Sequence, residues 1–105
     1  MESEAFEIIK EQDKEQGAAG FTVIGRVNYK TSREIQNKLE DALNSGEINI
    51  VLNMFQVEYM SSDGIRVILR IHKEAEKAGG KLKIERPSEM VRNVLSMVGL
   101  NEMLN

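Results

Sequence analysis

The sequence predicts an α/β domain of about four strands and three helices, in the order ββαβαβα, around a mostly parallel (mixed) sheet. Three observations carry this expectation. Apolar residues recur at every second position in some segments and at every third or fourth in others, and the two patterns alternate along the chain. Each helix-period segment stops at glycine: Gly46, Gly79-Gly80 and Gly99. The segment INIVLNM, residues 48–54, is apolar almost throughout, as suits a central strand covered on both faces. Strands that alternate with helices need crossover connections, right-handed by the usual chirality, so those strands lie parallel.

The elements follow in order. AFEIIKE (5–11) forms a first strand, and the polar, glycine-bounded QDKEQGAAG makes a hairpin connection. FTVIGRV (21–27) puts Phe21, Val23 and Val27 on one face, with Gly25 marking a bulge or a close backbone approach. In NYKTSREIQNKLEDALNSGE the period changes: Ile35, Leu39, Ala42 and Leu43 share a helical stripe, Thr31 or Ser32 can cap its start, and Gly46 can end it. The strand at 48–54 ends near Met54, and FQVEYM leads on to a helix from about Ser62 to about Ala78. Ile65, Ile68, Leu69 and His72 share its stripe, with Val67, Ile71 and Ala75 beside it. KLKIE (81–85) is a short strand. Pro87 and Ser88 open a last helix containing Met90, Val91, Val94, Leu95 and Val98, closed by Gly99 with Leu100 packing back.

The 105 residues make one domain, spanning 1–105. Apolar residues make up 41% and charged residues 30%, which places the chain among globular proteins. Aromatics are only 5%, so aliphatic side chains and six methionines must fill the core. Without cysteine there is no disulfide, thiolate catalysis or cysteine metal site. No apolar run approaches the roughly 18 residues of a membrane span, and no N-terminal leader pattern is present, so a cytoplasmic protein is expected. A formal net charge of −3 with scattered Lys and Arg makes no electrostatic case for nucleic acid.

Catalysis is not expected either, and no cofactor or metal. His72 is the sole histidine. It sits on a helical stripe about three turns beyond the serines, so no serine-histidine-carboxylate set is legible. GAAG and AGGK lack the spacing of a phosphate-binding loop.

The junction YMSSDGIRVIL (59–69) is the most informative stretch. In parallel sheets, sites lie at the carboxyl ends of strands, and Ser61 and Ser62 fall there, on a strand-to-helix turn. A serine oxygen at that point can accept a first-turn N–H, and Asp63 complements the helix dipole. The same helix start would tolerate a phosphate, and Gly64 allows close backbone approach.

Together, the order of elements, GRVNYKTSREIQNKLEDAL, INIVLNM, YMSSDGIRVIL and the final VLSMVGLNEML resemble the STAS domain, and within it the bacterial anti-sigma factor antagonists (anti-anti-sigma factors). The resemblance runs from about Phe6 to Leu104. Aligned on Gly64, the family's phosphorylated serine falls on Ser62, with Ser61 as second choice. The Asp that precedes it in the family falls on Ser61, and the Ser or Thr that follows falls on Asp63. The family's Gly-x-Leu-Asp turn is matched by Gly25, Arg26, Val27 and Asn28.

The resemblance implies partner switching. The unphosphorylated protein binds an anti-sigma factor that is also a serine kinase of the histidine-kinase-like ATPase type. A sigma factor is thereby released for transcription, phosphorylation ends the binding, and a phosphatase restores it. The implied contact residues are Asn28, Tyr29, Thr31, Glu58, Ser61, Ser62, Asp63, Gly64 and Arg66, with Arg70 four residues beyond Arg66 on the exposed side of the helix. The resemblance also favours a monomer when free. The alternative it leaves open is a non-switching STAS interaction module, a stress-signalling scaffold or a lipid-transport partner.

Overall fold

Alternation decides how the strands meet the core. In the computed structural model, which describes residues 6–11 and 15–104, the elements are β1 (Phe6–Lys10), β2 (Ala18–Val27), α1 (Tyr29–Asn44), β3 (Asn49–Met60), α2 (Ser62–Lys77), β4 (Lys81–Glu85) and α3 (Glu89–Met97), followed by a 3-10 turn, Asn101–Met103. The sheet order is β1-β2-β3-β4. β1 runs antiparallel to β2, and the β2–β3 and β3–β4 pairs are parallel. This is the expected ββαβαβα mixed sheet. Residue 5 of the first predicted strand and residues 12–14 of the hairpin connection lie outside the described residues.

Phe21, Val23 and Val27 of β2, Ile50, Leu52 and Met54 of β3, and Leu82 and Ile84 of β4 all point inward. They form one buried cluster with Ile35 and Leu39 of α1, Ile68 and Ile71 of α2, and Val91 and Leu95 of α3. The alternate residues point away: Glu7, Lys81, Lys83 and Glu85 are exposed, and Thr22, Ile24, Val51 and Asn53 are half-buried. So INIVLNM is buried on one face only, which corrects the expectation of cover on both. On the open face Arg26 lies over the Tyr59 ring at 4.5 Å, and Arg86 lies over Phe55 at 4.8 Å.

Two strands are longer than the sequence suggested. β2 starts at Ala18, because Ala18, Ala19 and Gly20 pair with Asn49, Ile50 and Val51. β3 does not end near Met54. FQVEYM continues it to Met60, with irregularities in the ladder to β2 between Thr22 and Ile24 and between Gly25 and Arg26. Opposite each, β3 supplies one extra residue, as at a β-bulge. The inward residues after Leu52 are consequently Met54, Val57 and Met60, spaced by three rather than two.

The helices end as their glycines demand. Gly46 N–H donates to Leu43 O (3.0 Å) and Glu47 N–H to Ala42 O (2.9 Å). The same pair of bonds closes α2 at Gly79 and Gly80, and α3 at Gly99 and Leu100. The positive φ of Gly46, Gly79 and Gly99 is the left-handed step of this closure. The buried stripe of α2 is centred on Val67, Ile68, Ile71, His72 and Ala75, while Ile65 and Leu69 lie at its margins. Val98, expected within α3, is its exposed C-cap. The terminal 3-10 turn was not expected. It buries Met103 and brings Leu104 into a parallel bridge with Ile84.

Candidate functional site at the carboxyl ends of β2 and β3

Adjacent parallel strands deliver two helix starts to the same edge. β2 passes through Asn28 into α1, and β3 passes through Ser61 into α2. The Ser61 N–H donates to Val27 O at 2.8 Å, so one backbone bond ties the two turns together.

The first turn is held by a capping box. Asn28, not Thr31 or Ser32, is the N-cap. Its Oδ1 accepts from Thr31 N–H (2.9 Å), and its own N–H donates to Thr31 Oγ1 (2.8 Å). Thr31 Oγ1 also donates to Arg26 O at 2.8 Å. Thr31 is only 8% exposed, so its hydroxyl shapes the turn from within. Tyr29, at the first helical position, is exposed, with Arg33 above its ring.

At the second turn the two serines differ sharply. Ser61 is the N-cap of α2, yet it makes no side-chain cap bond, and its Oγ is buried without a hydrogen-bond partner. Ser62, one step on at the first helical position, is exposed. Its N–H and that of Asp63 belong to the first turn, where the helix has no acceptors of its own and carries partial positive charge. Asp63 accepts from Arg66 at 3.2 Å. Glu58, three residues before Ser61, is exposed on β3.

Gly64 explains how α2 comes so close. It is buried, and a Cβ there would stand 2.7 Å from Val27 Cγ1 and 2.8 Å from Met60 Cγ. Any larger residue would force the Val27 and Met60 side chains, or the helix start itself, to shift.

The structure thus brings Asn28, Tyr29, Thr31, Ser61, Ser62, Asp63, Gly64 and Arg66 to one edge. Of these, Tyr29, Ser62 and Arg66 present the most surface, whereas Thr31 and Gly64 hold the framework. A cleft of about 150 Å³ opens between α1 and α2 beside them, lined by Tyr29, Arg33, Gln36, Asp63, Arg66 and Arg70 among others. Arg33 and Gln36 had no signal in the sequence beyond their places on the polar face of α1. His72 lies on the buried side of α2, its Nε2 3.3 Å from Glu76. Among the described residues no group of three or more His, Asp or Glu is arranged to hold a metal, and no helix is long and apolar enough to cross a membrane.

Comparison with known proteins bears on the chain as a whole. The model of the STAS domain matches residues 10–105. BtrV of Bordetella bronchiseptica, named as an anti-sigma factor antagonist, is 29% identical over 87 residues, covering 83% of this chain and 75% of BtrV. An anti-sigma F factor antagonist of Paenibacillus polymyxa is 25% identical over 91 residues, covering 86% of this chain and 78% of the relative. Among solved structures, the anti-sigma factor antagonist SpoIIAA in its unphosphorylated form superposes with a TM-score of 0.81 at 22% identity, covering 96% of this chain and 86% of that one. The Bacillus cell fate determinant SpoIIAA in its phosphorylated form gives 0.77 at 20% identity, with 96% and 89% covered. These structural likenesses establish the fold. With the fold reproduced in such neighbours and the family model matched over residues 10–105, the chain belongs to the STAS domain family.

Proposed function

We propose that the protein is an anti-sigma factor antagonist: it binds an anti-sigma factor through the edge formed by the β2–α1 and β3–α2 turns, and phosphorylation of Ser62 ends that binding. The observation that carries this reading is the contrast between the serines. Ser62 Oγ stands on an exposed residue at a helix start, whereas Ser61 Oγ is buried. The names of BtrV, the Paenibacillus relative and SpoIIAA support the role, and SpoIIAA is known in both unphosphorylated and phosphorylated forms.

The partner is an anti-sigma factor with serine kinase activity. It transfers the γ-phosphoryl group of ATP to Ser62 Oγ, with release of ADP and the hydroxyl proton, and a phosphatase hydrolyses the ester. Phosphate adds about −1.5 to −2 charge at neutral pH. The start of α2 can accommodate that charge with little rearrangement. A partner packed over Ser62 must desolvate it beside Asp63 and Glu58, and each roughly 1.4 kcal/mol of that penalty weakens binding tenfold. The switch therefore needs a local change of charge rather than a change of fold.

The test is incubation with the anti-sigma kinase and ATP, followed by mass-spectrometric mapping of the phosphosite. Phosphate is expected on Ser62. Ser62→Ala should stay unmodified and keep its grip on the partner, and Ser62→Glu should bind weakly. Phosphate confined to Ser61, Thr31 or Ser88 would refute the assignment. A second reading, a non-switching interaction module, draws on Ser61 and Asn28, which stand where the family carries carboxylates. It predicts binding with no phosphorylation at all.

A further inference from the structure

The exposed side of α2 carries Arg66, Arg70, Lys73 and Lys77, at successive spacings of four, three and four residues. That spacing keeps them on one face of the helix. All four line a single open groove of about 350 Å³ together with Leu69 and Glu74. Arg66 and Arg70 also line the neighbouring cleft against α1, where Arg33 adds a third guanidinium. A chain with net charge −3 thus sets four of its 14 Lys and Arg residues in a ridge that starts one helical turn beyond Ser62.

This arrangement sets like charges beside one another on the helix. Arg66 with Arg70 and Lys73 with Lys77 are like charges four apart, each pair unfavourable by a few tenths of a kcal/mol. Compensation is partial. Arg66 is held by Asp63 at 3.2 Å and Arg70 by Glu74 at 3.3 Å, both in solvent, and among the described residues neither Lys73 nor Lys77 is paired. Cations kept together against their own repulsion are what an anionic counterpart would neutralise.

We propose that this ridge, with Arg33 beside it, is a docking face for an acidic surface of the partner protein. The proposal rests on the reading of that partner as the anti-sigma subunit, and it adds the chemistry of the surface that the partner must present. It also gives release a second cause. A phosphate on Ser62 lies four residues before Arg66, within reach of its guanidinium, and so competes with the partner's carboxylates at the head of the ridge. An acidic protein surface fits better than a nucleic acid or a lipid bilayer. Asp63 and Glu74 stand within the ridge, and the chain's overall negative charge repels an extended polyanion.

The experiment measures association of the full chain with the anti-sigma subunit at low and high salt, for wild type and for Arg70→Glu/Lys73→Glu/Lys77→Glu. Ser62 and Arg66 are left intact. Reversal should slow association by about tenfold or more at low salt and largely remove its salt dependence. The neutral variant Arg70→Gln/Lys73→Gln/Lys77→Gln should fall between, and Arg70→Lys/Lys73→Arg/Lys77→Arg should match wild type. Circular dichroism establishes that each variant is folded. If all variants associate as wild type does, the ridge proposal is overturned while the proposed function stands. If wild type does not bind the anti-sigma subunit, the proposed function falls, and labelled decaglutamate then decides the ridge. Decaglutamate captured by wild type but not by the reversed variant supports it, and equal capture or none overturns it. Binding of duplex DNA or phosphatidylglycerol vesicles that is tighter than that of decaglutamate and lost on reversal would assign the ridge to another class of partner and likewise overturn it.

Discussion

Adjacent serines with identical chemistry stand on either side of a helix boundary: Ser61 is the extended N-cap with its Oγ buried, and Ser62 is the first helical residue and exposed. Ser61 holds the N-cap position without a cap bond, whereas Ser88 at the start of α3 accepts from Val91 N–H at 3.2 Å. Ser88→Ala should therefore lower stability by about 1 kcal/mol, the ordinary value of a cap. Ser61→Ala removes a buried hydroxyl that has no partner, so it should leave stability unchanged or raise it by a few tenths of a kcal/mol. Chemical denaturation of the two variants checks the contrast, and a loss at Ser61 equal to that at Ser88 would show that its hydroxyl caps α2 in solution. The sequence placed both serines at the right junction and, through alignment on Gly64, chose the exposed one. It could not reveal that the Ser61 Oγ is buried, because that depends on how the end of β3 packs beside the end of β2. Nor could it identify Asn28 as the cap, since Thr31 and Ser32 are equally good capping residues and only the path of β2 decides among them.

Elements meet closely at two glycines. At Gly64 an added Cβ would press on the side chains of Val27 and Met60, and at Gly80 it would fall on the carbonyl oxygen of Ile48. Side chains can give way where backbone cannot. Gly64→Ala should cost about 1–3 kcal/mol, in the range of overpacked cores, and Gly80→Ala should cost more, because β4 would have to leave its place beside β3. Thermal melts rank the two, and the reverse order would mean that the start of α2 is the more rigid joint. The helices were legible because their stripes, caps and terminal glycines agree with one another. The second half of β3 was not. The spacing of Met54, Val57 and Met60 matches neither an alternating strand nor a full helical stripe, since each irregularity in the ladder inserts a residue that alternation does not anticipate. FQVEYM therefore passed for a connection although it is sheet. The start of β2 escaped because two alanines and a glycine carry little strand signal.

For the molecule as a whole, one side of the sheet carries the core and the other meets solvent. Leu52→Ala should cost about 2–5 kcal/mol, as for a fully buried aliphatic side chain. Ile9→Thr should change stability by less than about 0.5 kcal/mol, as expected away from the core, since Ile9 is 47% exposed and pairs with Thr22 on the open face. Urea midpoints compare them directly, and a large loss at Ile9 would mean that the open face is covered in solution. The order of elements and most of the core could be deduced from periodicity, whereas the one-sided cover could not, because the apolar run of β3 fits burial on either side. The surplus residues of β3 matter beyond packing. Excising Phe55 or Glu58 would remove one of the two irregularities, and excising both would restore an even ladder, in neither case turning an inward side chain outward, so this strand can absorb a shortening that strict alternation would not tolerate. What such a deletion changes is the bearing of the ledge on which Ser62 stands, which makes chain length a coarse dial for aiming its hydroxyl.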